Sequence, residues 1–524
     1  MTTMRTLIPC LGLVTLLATG TEATAQRVKL SPEELVQAEA RSKVLCVSCH
    51  AWPDPALLDK QTWQRHVLPT MTLLCGHTNL LGEASRAYYR DLRDKGAALA
   101  QPLVTDAEFM SIGRYYIQTA PASQADQIRV APVAGKLENF EVAGRLLVGT
   151  SPATYLVSIV PGADAVLLGD GGYGLWQLSS DGQRRAQLYG GVAPVAARAT
   201  ATGLYVGNIG EFMPSERHMG SIHILPRNGD GKSWRTLAEQ LPRVADLAIA
   251  DMNGDGREDI VGALFGFFSG RLSWFEQLAD GHHQEHVIYE KPGTVRVFVR
   301  DLNGDRRMDL VALVAQATEQ VIHFIQGPDG GFTAEPLIQH HAAFGSSSMD
   351  LADFNGDGRE DVLLANGDFD FPTPPRPYHG VRLFLRTDQG YELKYHFQLP
   401  GAYQARALDH DLDGDLDIAV VSLTPSFADR AVYNFAILEN QGDYQFRVLS
   451  IPECLEGRWM TMDIGDLEGD GDPDIVLGSV LNVPGVIPEE LQQQWQRRPV
   501  SALVLRNRAR DRKPDPKPVA TPSK

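Results

Sequence analysis

The segment Asp251-Met252-Asn253-Gly254-Asp255-Gly256-Arg257-Glu258-Asp259 is a run of acids and glycines between two apolar stretches, and the chain repeats its pattern four more times. Asp301-Leu302-Asn303-Gly304-Asp305-Arg306-Arg307-Met308-Asp309 and Asp353-Phe354-Asn355-Gly356-Asp357-Gly358-Arg359-Glu360-Asp361 keep it closely. Asp409-His410-Asp411-Leu412-Asp413-Gly414-Asp415-Leu416-Asp417 and Asp466-Leu467-Glu468-Gly469-Asp470-Gly471-Asp472-Pro473-Asp474 are more acidic versions. Their first residues are 50, 52, 56 and 57 positions apart, a period that signals stacked or radial repeats rather than independent domains. Each nonapeptide offers side-chain oxygen at positions 1, 3, 5 and 9, a backbone carbonyl at 7, and a turn-permitting glycine at position 6 in four of five. Hard oxygen donors with several carboxylates suit Ca²⁺. An EF-hand would need a bidentate Glu at position 12 and flanking helices, but position 12 is Gly262, Ala312, Leu364, Val420 and Leu477. The flanks at residues 244–250, 260–264 and 271–275 are short and rich in branched or aromatic residues, which predicts strands.

Acidic loops joining strand-like segments at this period resemble the FG-GAP/VCBS repeats, the calcium-loop blades of integrin-α-type β-propellers. The resemblance implies metal ligands at positions 1, 3, 5 and 9 of all five loops, with carbonyls from Arg257, Arg307, Arg359, Asp415 and Asp472. It implies up to five Ca²⁺, each bracing a hairpin in a structural role. Seventeen acidic side chains at ligand positions would repel one another without a cation. Arg306 stands where the other loops carry glycine, so the Asp301 site is expected to be the weakest or empty. Residues 163–169 and 203–208 imitate the strand after a loop but lack the acids, adding two metal-free units to five loaded ones. Seven units of about 53 residues, four strands each, predict a mainly β fold, a closed seven-bladed β-propeller over residues 126–507, with residues 501–505 supplying a final strand where the first blade begins.

Ahead of the repeats lies Cys46-Val47-Ser48-Cys49-His50, the C-x-x-C-H spacing of c-type haem attachment. Two thiols one helical turn apart can reach both vinyl groups of one porphyrin, and the His then sits under the iron. A disulfide, a redox C-x-x-C and half of a zinc site are the rival readings; no second ligand pair and no thioredoxin-like pattern accompany the motif. Ser31-Pro32-Glu33-Glu34 predicts a helix start leading to Cys46, residues 61–74 a second helix, and Thr105-Asp106-Ala107-Glu108 a third running to Pro121. Three helices around this motif resemble the small cytochrome c domain, with one covalent haem c held by Cys46, Cys49 and His50. Met71 is the first choice for the sixth ligand, because a thioether suits electron transfer; Met110, His66, His77 and an open site are the alternatives.

Composition bounds the rest. The 524 residues hold 48 Lys+Arg against 65 Asp+Glu, a formal charge of −17, and no basic face for nucleic acid. Arg5, the apolar stretch 7–18 and Ala23-Thr24-Ala25 predict a cleaved secretory signal over residues 1–25, hence a periplasmic or extracellular protein with no transmembrane span after cleavage. Residues 26–125 form the expected haem domain and 508–524 a disordered, Pro- and Lys/Arg-rich tail. Cys75 and Cys454 remain, as a disulfide or as two buried thiols.

Haem plus propeller resembles exported bacterial proteins that pair a cytochrome c domain with VCBS/FG-GAP repeats. The leading expectation is single-electron transfer, with the propeller as docking scaffold for a redox partner protein or membrane-associated complex. The alternatives are a propeller-based oxidoreductase that passes electrons from a small molecule to the haem, and an adhesion or ligand-binding module with accessory haem. For an enzyme the suggestive groups are His340, His341, His379 and the loop 211–220 with Glu216, Arg217 and His218; no phosphate-cradling loop or nucleophile elbow is present.

Overall fold

The computed structural model describes residues 29–94, 96–191, 193–212, 216–228, 232–316, 318–368, 376–425, 434–481, 483 and 487–511. The expected signal segment 1–25 and most of the tail, 512–524, lie outside them. The chain divides into two compact units. One holds Met1–Arg129, Arg198–Ser346 and Phe369–His379; the other holds Val130–Ala197, Ser347–Asp368 and Gly380–Lys524.

The described residues form seven sheets, and the fold is mainly β, a seven-bladed propeller. The acidic loops set the pattern of five blades. In the first, strands Arg243–Ala250, Asp259–Phe265, Arg271–Gln277 and His283–Tyr289 pair antiparallel in chain order, with the loop 251–258 joining the first two. The second strand, Asp-Ile-Val-Gly-Ala-Leu-Phe, is covered on both faces and reads as a continuous apolar run. The fourth, His-Gln-Glu-His-Val-Ile-Tyr, is the outer edge, and its polar, half-exposed side chains blunt that edge. The two blades without acids are present, and their strands Ala165–Asp170 and Gly203–Asn208 lie where the eroded copies predict. In the last blade Ala502–Asn507 pairs on one side with Asp474–Ser479 and on the other with Phe140–Leu146, so the start of the β region completes its final sheet. Gly135–Lys136 adds a parallel edge strand to Phe446–Ser450.

The helices begin with α1, Pro32–Cys46, started by a capping box in which Ser31 and Glu34 satisfy each other's backbone N–H. The second expected helix is interrupted: α2 (Lys60–Thr62) and α3 (Leu68–Leu74) are separated by a π-helical turn at Trp63–Val67, where Leu68 N–H donates to Trp63 O. Pro69 has no N–H to continue the regular ladder, and a π turn absorbs the defect. Residues 83–94 form α4 (Glu83–Asp94), which the sequence reading missed; Ser85, Tyr89 and Leu92 are its buried stripe, and buried Leu81 lies just ahead of it. Helix α5, Asp106–Thr119, opens on a second capping box, Thr105 with Glu108. A further missed helix, α6 (Glu489–Arg497), is inserted between two strands of the last blade and buries Trp495.

Two apolar clusters hold the helices. Leu30, Ala38, Leu45, Leu58, Trp63, Phe109, Ile112 and Tyr116 form the larger, with Ala343 packed against it; Leu73, Leu81, Tyr89 and Leu92 form the smaller, with Phe268 against it. Both outside contacts come from loop residues of the same unit, between strands. No helix among the described residues is long and apolar enough to cross a membrane.

Candidate functional site

The end of α1 carries the C-x-x-C-H motif. Cys49 N–H and His50 N–H both donate to Cys46 O at 3.3 Å, so the pentapeptide curls into one turn. Cys46 is half-buried, desolvation raises its thiol pKa, and its environment includes Tyr116, whose hydroxyl donates to Pro53 O at 2.8 Å. Cys49 is exposed, and both thiols are free. His50 Nδ1 lies 2.9 Å from Ala51 O, which fixes the ring and leaves Nε2 as its ligand atom. Met71 and Cys75, one turn apart on and just beyond α3, pack half-buried against the larger helical cluster beside Leu57, Val67 and Leu68. Burial pushes the Cys75 thiol up to about 12, with Cys46 and Cys49 close enough to add to the effect. Two free thiols, an oriented imidazole and half-covered apolar side chains form a donor set and lining that fit haem c.

Of the alternatives for a sixth ligand, Met110 is half-exposed and stands outside the apolar clusters. His77 is fully buried, its Nδ1 2.8 Å from Asp106 Oδ1 and its ring stacked on Phe109 at 4.1 Å, while Nε2 has no hydrogen-bond partner. Hydrogen bonds from His77 and Asn79 hold the Asp106 carboxyl below its usual range. Burial lowers the pKa of His66. If haem is held at this motif with Met71 as sixth ligand, Met71→His should lower its midpoint potential by on the order of 0.1 V, read by spectroelectrochemical titration; an unmoved potential would rule Met71 out as a ligand.

The five acidic loops share one geometry. The position-1 carboxylate accepts backbone N–H groups from within its own loop: Asp251 from Gly254, Asp255 and Gly256 at 2.7, 3.1 and 2.8 Å, with Asp301, Asp353 and Asp466 alike. The position-9 carboxylate is buried and has a role that spacing did not reveal. Asp259, Asp361, Asp417 and Asp474 each accept the position-2 N–H with one oxygen and an N–H of the third strand with the other, stapling the hairpin. Asp309 accepts Gln326 N–H at 2.9 Å and lies 2.7 Å from His323 Nε2.

Charge compensation separates the loops. In the first three, the position-7 arginine turns onto the position-5 carboxylate: Arg257 on Asp255, Arg307 on Asp305, and Arg359 on Asp357 at 2.8 Å. In the fifth, Arg506 and Arg508 pair with Glu468 at 2.5 and 3.3 Å, and Arg510 with Asp472 at 3.3 Å. In the fourth, the carboxylates of Asp409, Asp411 and Asp413 converge within 4.8 Å of one another, a donor set that fits a hard cation.

Arg306 takes the left-handed conformation of the glycine it replaces, φ 70°, and Asp301 still accepts its N–H at 2.8 Å. The sequence reading missed the same feature at Leu412, φ 60°, in a position where Gly254, Gly304, Gly356 and Gly469 stand in the other loops. Arg306→Gly and Leu412→Gly should each stabilise the protein by about 1 kcal/mol in urea unfolding with the cation present, because a side chain at positive φ is strained by that amount. Unchanged or lowered stability would mean that these side chains compensate the strain.

The suggestive groups outside the loops divide. Glu216 accepts Phe267 N–H at 3.1 Å and Ser269 Oγ–H at 2.5 Å, so it anchors its loop; His218 is exposed. The adjacent His340 and His341 and the more distant His379 come together around Phe344 and Tyr378: His340 stacks on Phe344 at 3.7 Å, and Tyr378 meets His341 at 4.9 Å and His379 at 5.5 Å. Ala343, which packs on the helical cluster, accepts the Tyr378 hydroxyl at 2.9 Å. Cys75 and Cys454 are both free thiols, the latter buried among strands 402–450.

The fold and the repeated loops together define a β-propeller built from FG-GAP repeats. Residues 251–312, 301–364 and 409–477, which include all five loops, match the FG-GAP-like repeat family. A comparison with curated proteins finds no match. Among solved structures the chain is similar to the N-terminal domain of Nup159, at 10% identity and a TM-score of 0.40 over 72% of this chain and 98% of that one. It is also similar to the β-propeller domain of Cps50 (Swd1) from Myceliophteria thermophila, at 11% identity and a TM-score of 0.43 over 70% and 98%. A propeller of this kind is a scaffold that can serve docking or ligand binding.

Proposed function

We propose that the protein is an exported c-type cytochrome that carries single electrons, with the propeller as docking scaffold for a redox partner protein or membrane-associated complex. The observation that carries this reading is the donor set at the end of α1: free Cys46 and Cys49 in one turn, and His50 with Nδ1 held by a carbonyl. Bound there through two thioethers, haem would supply reversible one-electron chemistry. The chain's own part is to fix the imidazole, to surround the site with half-buried Leu57, Val67, Leu68 and Met71, and to keep water from the buried side at Cys46. The acidic loops would hold Ca²⁺, most strongly at Asp409, Asp411 and Asp413, whose carboxylates converge within 4.8 Å of one another.

The test is a reduced-minus-oxidised spectrum of the purified mature protein, with metal analysis and a thiol count in denaturant. A c-type spectrum and two titratable thiols, Cys75 and Cys454, are expected; four thiols without iron would overturn the reading. Native protein should show almost no thiol reactivity up to pH 9, since burial holds Cys75 at about 12 and raises Cys454.

One observation favours the second reading, an oxidoreductase passing substrate electrons to haem. His340, His341, His379 and Tyr378 gather beside the segment that packs on the helices. Haem reduction by a small molecule in the purified protein, lost in His341→Ala, would establish it; reduction only by a partner protein would favour the carrier.

A further inference from the structure

Position 2 of the acidic loops is an apolar side chain in four cases: Met252, Leu302, Phe354 and Leu467. Met252, Phe354 and Leu467 are buried in the propeller core, as an inward-facing residue at the foot of a blade should be. The fourth loop puts His410 there, only 2% exposed. Its backbone is pinned on both sides: the N–H donates to Asp417 Oδ2 at 3.0 Å, and the carbonyl accepts Asn139 Nδ2 at 2.7 Å and Asn507 Nδ2 at 2.8 Å. The imidazole is thereby fixed, with Nε2 buried and without a hydrogen-bond partner.

What faces Nε2 is acidic. Glu439 Oε1 lies 4.0 Å away and Asp417 Oδ2 3.9 Å, too far for hydrogen bonds. Glu439 is aimed by Arg447, whose Nε donates to Oε2 at 2.6 Å and leaves Oε1 turned toward the imidazole. Asp411 completes the group: the ligand atoms of His410, Asp411 and Glu439 all lie within 4.8 Å of one another, and Asp411 Oδ1 is also buried without a partner. Each unsatisfied buried polar atom costs about 1–3 kcal/mol, so several facing one gap need a common partner. Nε2 and Glu439 Oε1 stand 4.0 Å apart, so a side-chain shift of about 0.7 Å would bring them to the roughly 3.3 Å spacing of two ligands bonded at ~2.0 Å to one tetrahedral zinc ion.

We propose that His410, Asp411 and Glu439 form a second cation site, for a divalent first-row transition ion of the zinc type, beside the fourth acidic loop. One imidazole and two carboxylates in a buried site select such an ion over Ca²⁺, which takes six to eight oxygens. The imidazole tautomer is not locked against it. Asn139 Nδ2 has two hydrogens, and His410 O at 2.7 Å and Asn507 Oδ1 at 2.9 Å engage them more closely than His410 Nδ1 at 3.2 Å. Asp411 also belongs to the group Asp409, Asp411 and Asp413, so its carboxylate bridges the new ion and a loop Ca²⁺. The bridge rests on the calcium reading; the His410–Glu439 pair does not.

Untagged mature protein, stripped with a chelator and refilled with excess Ca²⁺, is titrated with Zn²⁺ by calorimetry, and its metals are counted by mass spectrometry. One Zn²⁺ per chain should bind with a Kd of about 1 μM or tighter, with Ca²⁺ retained and the melting temperature raised. His410→Leu installs the side chain that Leu302 and Leu467 already place there, so it should fold, keep its calcium and lose at least ~100-fold in zinc affinity. Glu439→Gln keeps the shape and should lose at least ~10-fold, a second reading should the first variant be unstable. Wild-type zinc affinity in both variants, no binding below about 0.1 mM, or zinc displacing calcium one for one would each overturn the site. Zinc bound without any calcium uptake would leave the site standing and sink the calcium reading instead.

Discussion

Mature protein carrying Cys46→Ser and Cys49→Ser, exported from a host that attaches haem c, should contain no covalent haem and should melt its helices at least ~10 °C below wild type. The size of the effect follows from the helical core. Leu57, Val67, Leu68, Met71, Leu80 and Val104 are only half covered by protein, so a bound porphyrin would bury apolar surface that the chain alone leaves open. A prosthetic group that binds only the folded state adds its binding free energy to stability, and losing several kcal/mol moves a unit of this size by that many degrees. Proteolysis should cut first within residues 32–119, followed by mass spectrometry. A double-serine variant with the wild-type spectrum and melting curve would mean that these cysteines hold nothing.

Chelation is expected to have the other large effect, and pH sets its size. In the metal-free chain burial raises the position-9 carboxyls: Asp417 to about 8, Asp474 to about 6, and Asp259 and Asp361 upward. A carboxyl whose folded pKa lies above its unfolded value stabilises the fold while both states are protonated. That contribution is lost as pH rises from near 4 through about 6 and 8. Metal-free protein should therefore weaken steadily from pH 5 toward pH 8. A cation that neutralises these loops removes the penalty, and at a thousandfold excess over its Kd it adds about 4 kcal/mol per site. The gap in melting temperature between calcium-loaded and chelated protein should thus widen from pH 5 to pH 8. A gap that narrows, or no gap at all, would show that the arginines already do the cation's work.

That second possibility separates what was legible in the sequence from what was not. The blade count, the loops between first and second strands, and the closing strand at 502–507 all followed from a period near 50 and from local patterning. Both capping boxes were readable, because Ser31 with Glu34 and Thr105 with Glu108 are contacts between near neighbours. Helix α4 escaped because its buried face is a sparse stripe of Ser85, Tyr89 and Leu92 among charges. Leu412, like Arg306, stands where the other four loops carry glycine, so the repeat itself marked the strained position that its positive φ shows.

The amino-acid sequence alone determined the repeat, the strand positions and the C-x-x-C-H motif, since periodicity, turn chemistry and residue spacing act over a few to a few tens of residues. Only the tertiary structure decided which acids are compensated. Arg506, Arg508 and Arg510 reach the fifth loop from across a sheet, and Glu439 faces His410 from a neighbouring strand. Coulombic and hydrogen-bond partners depend on distance in space, and strand pairing brings together residues that the chain keeps tens of positions apart.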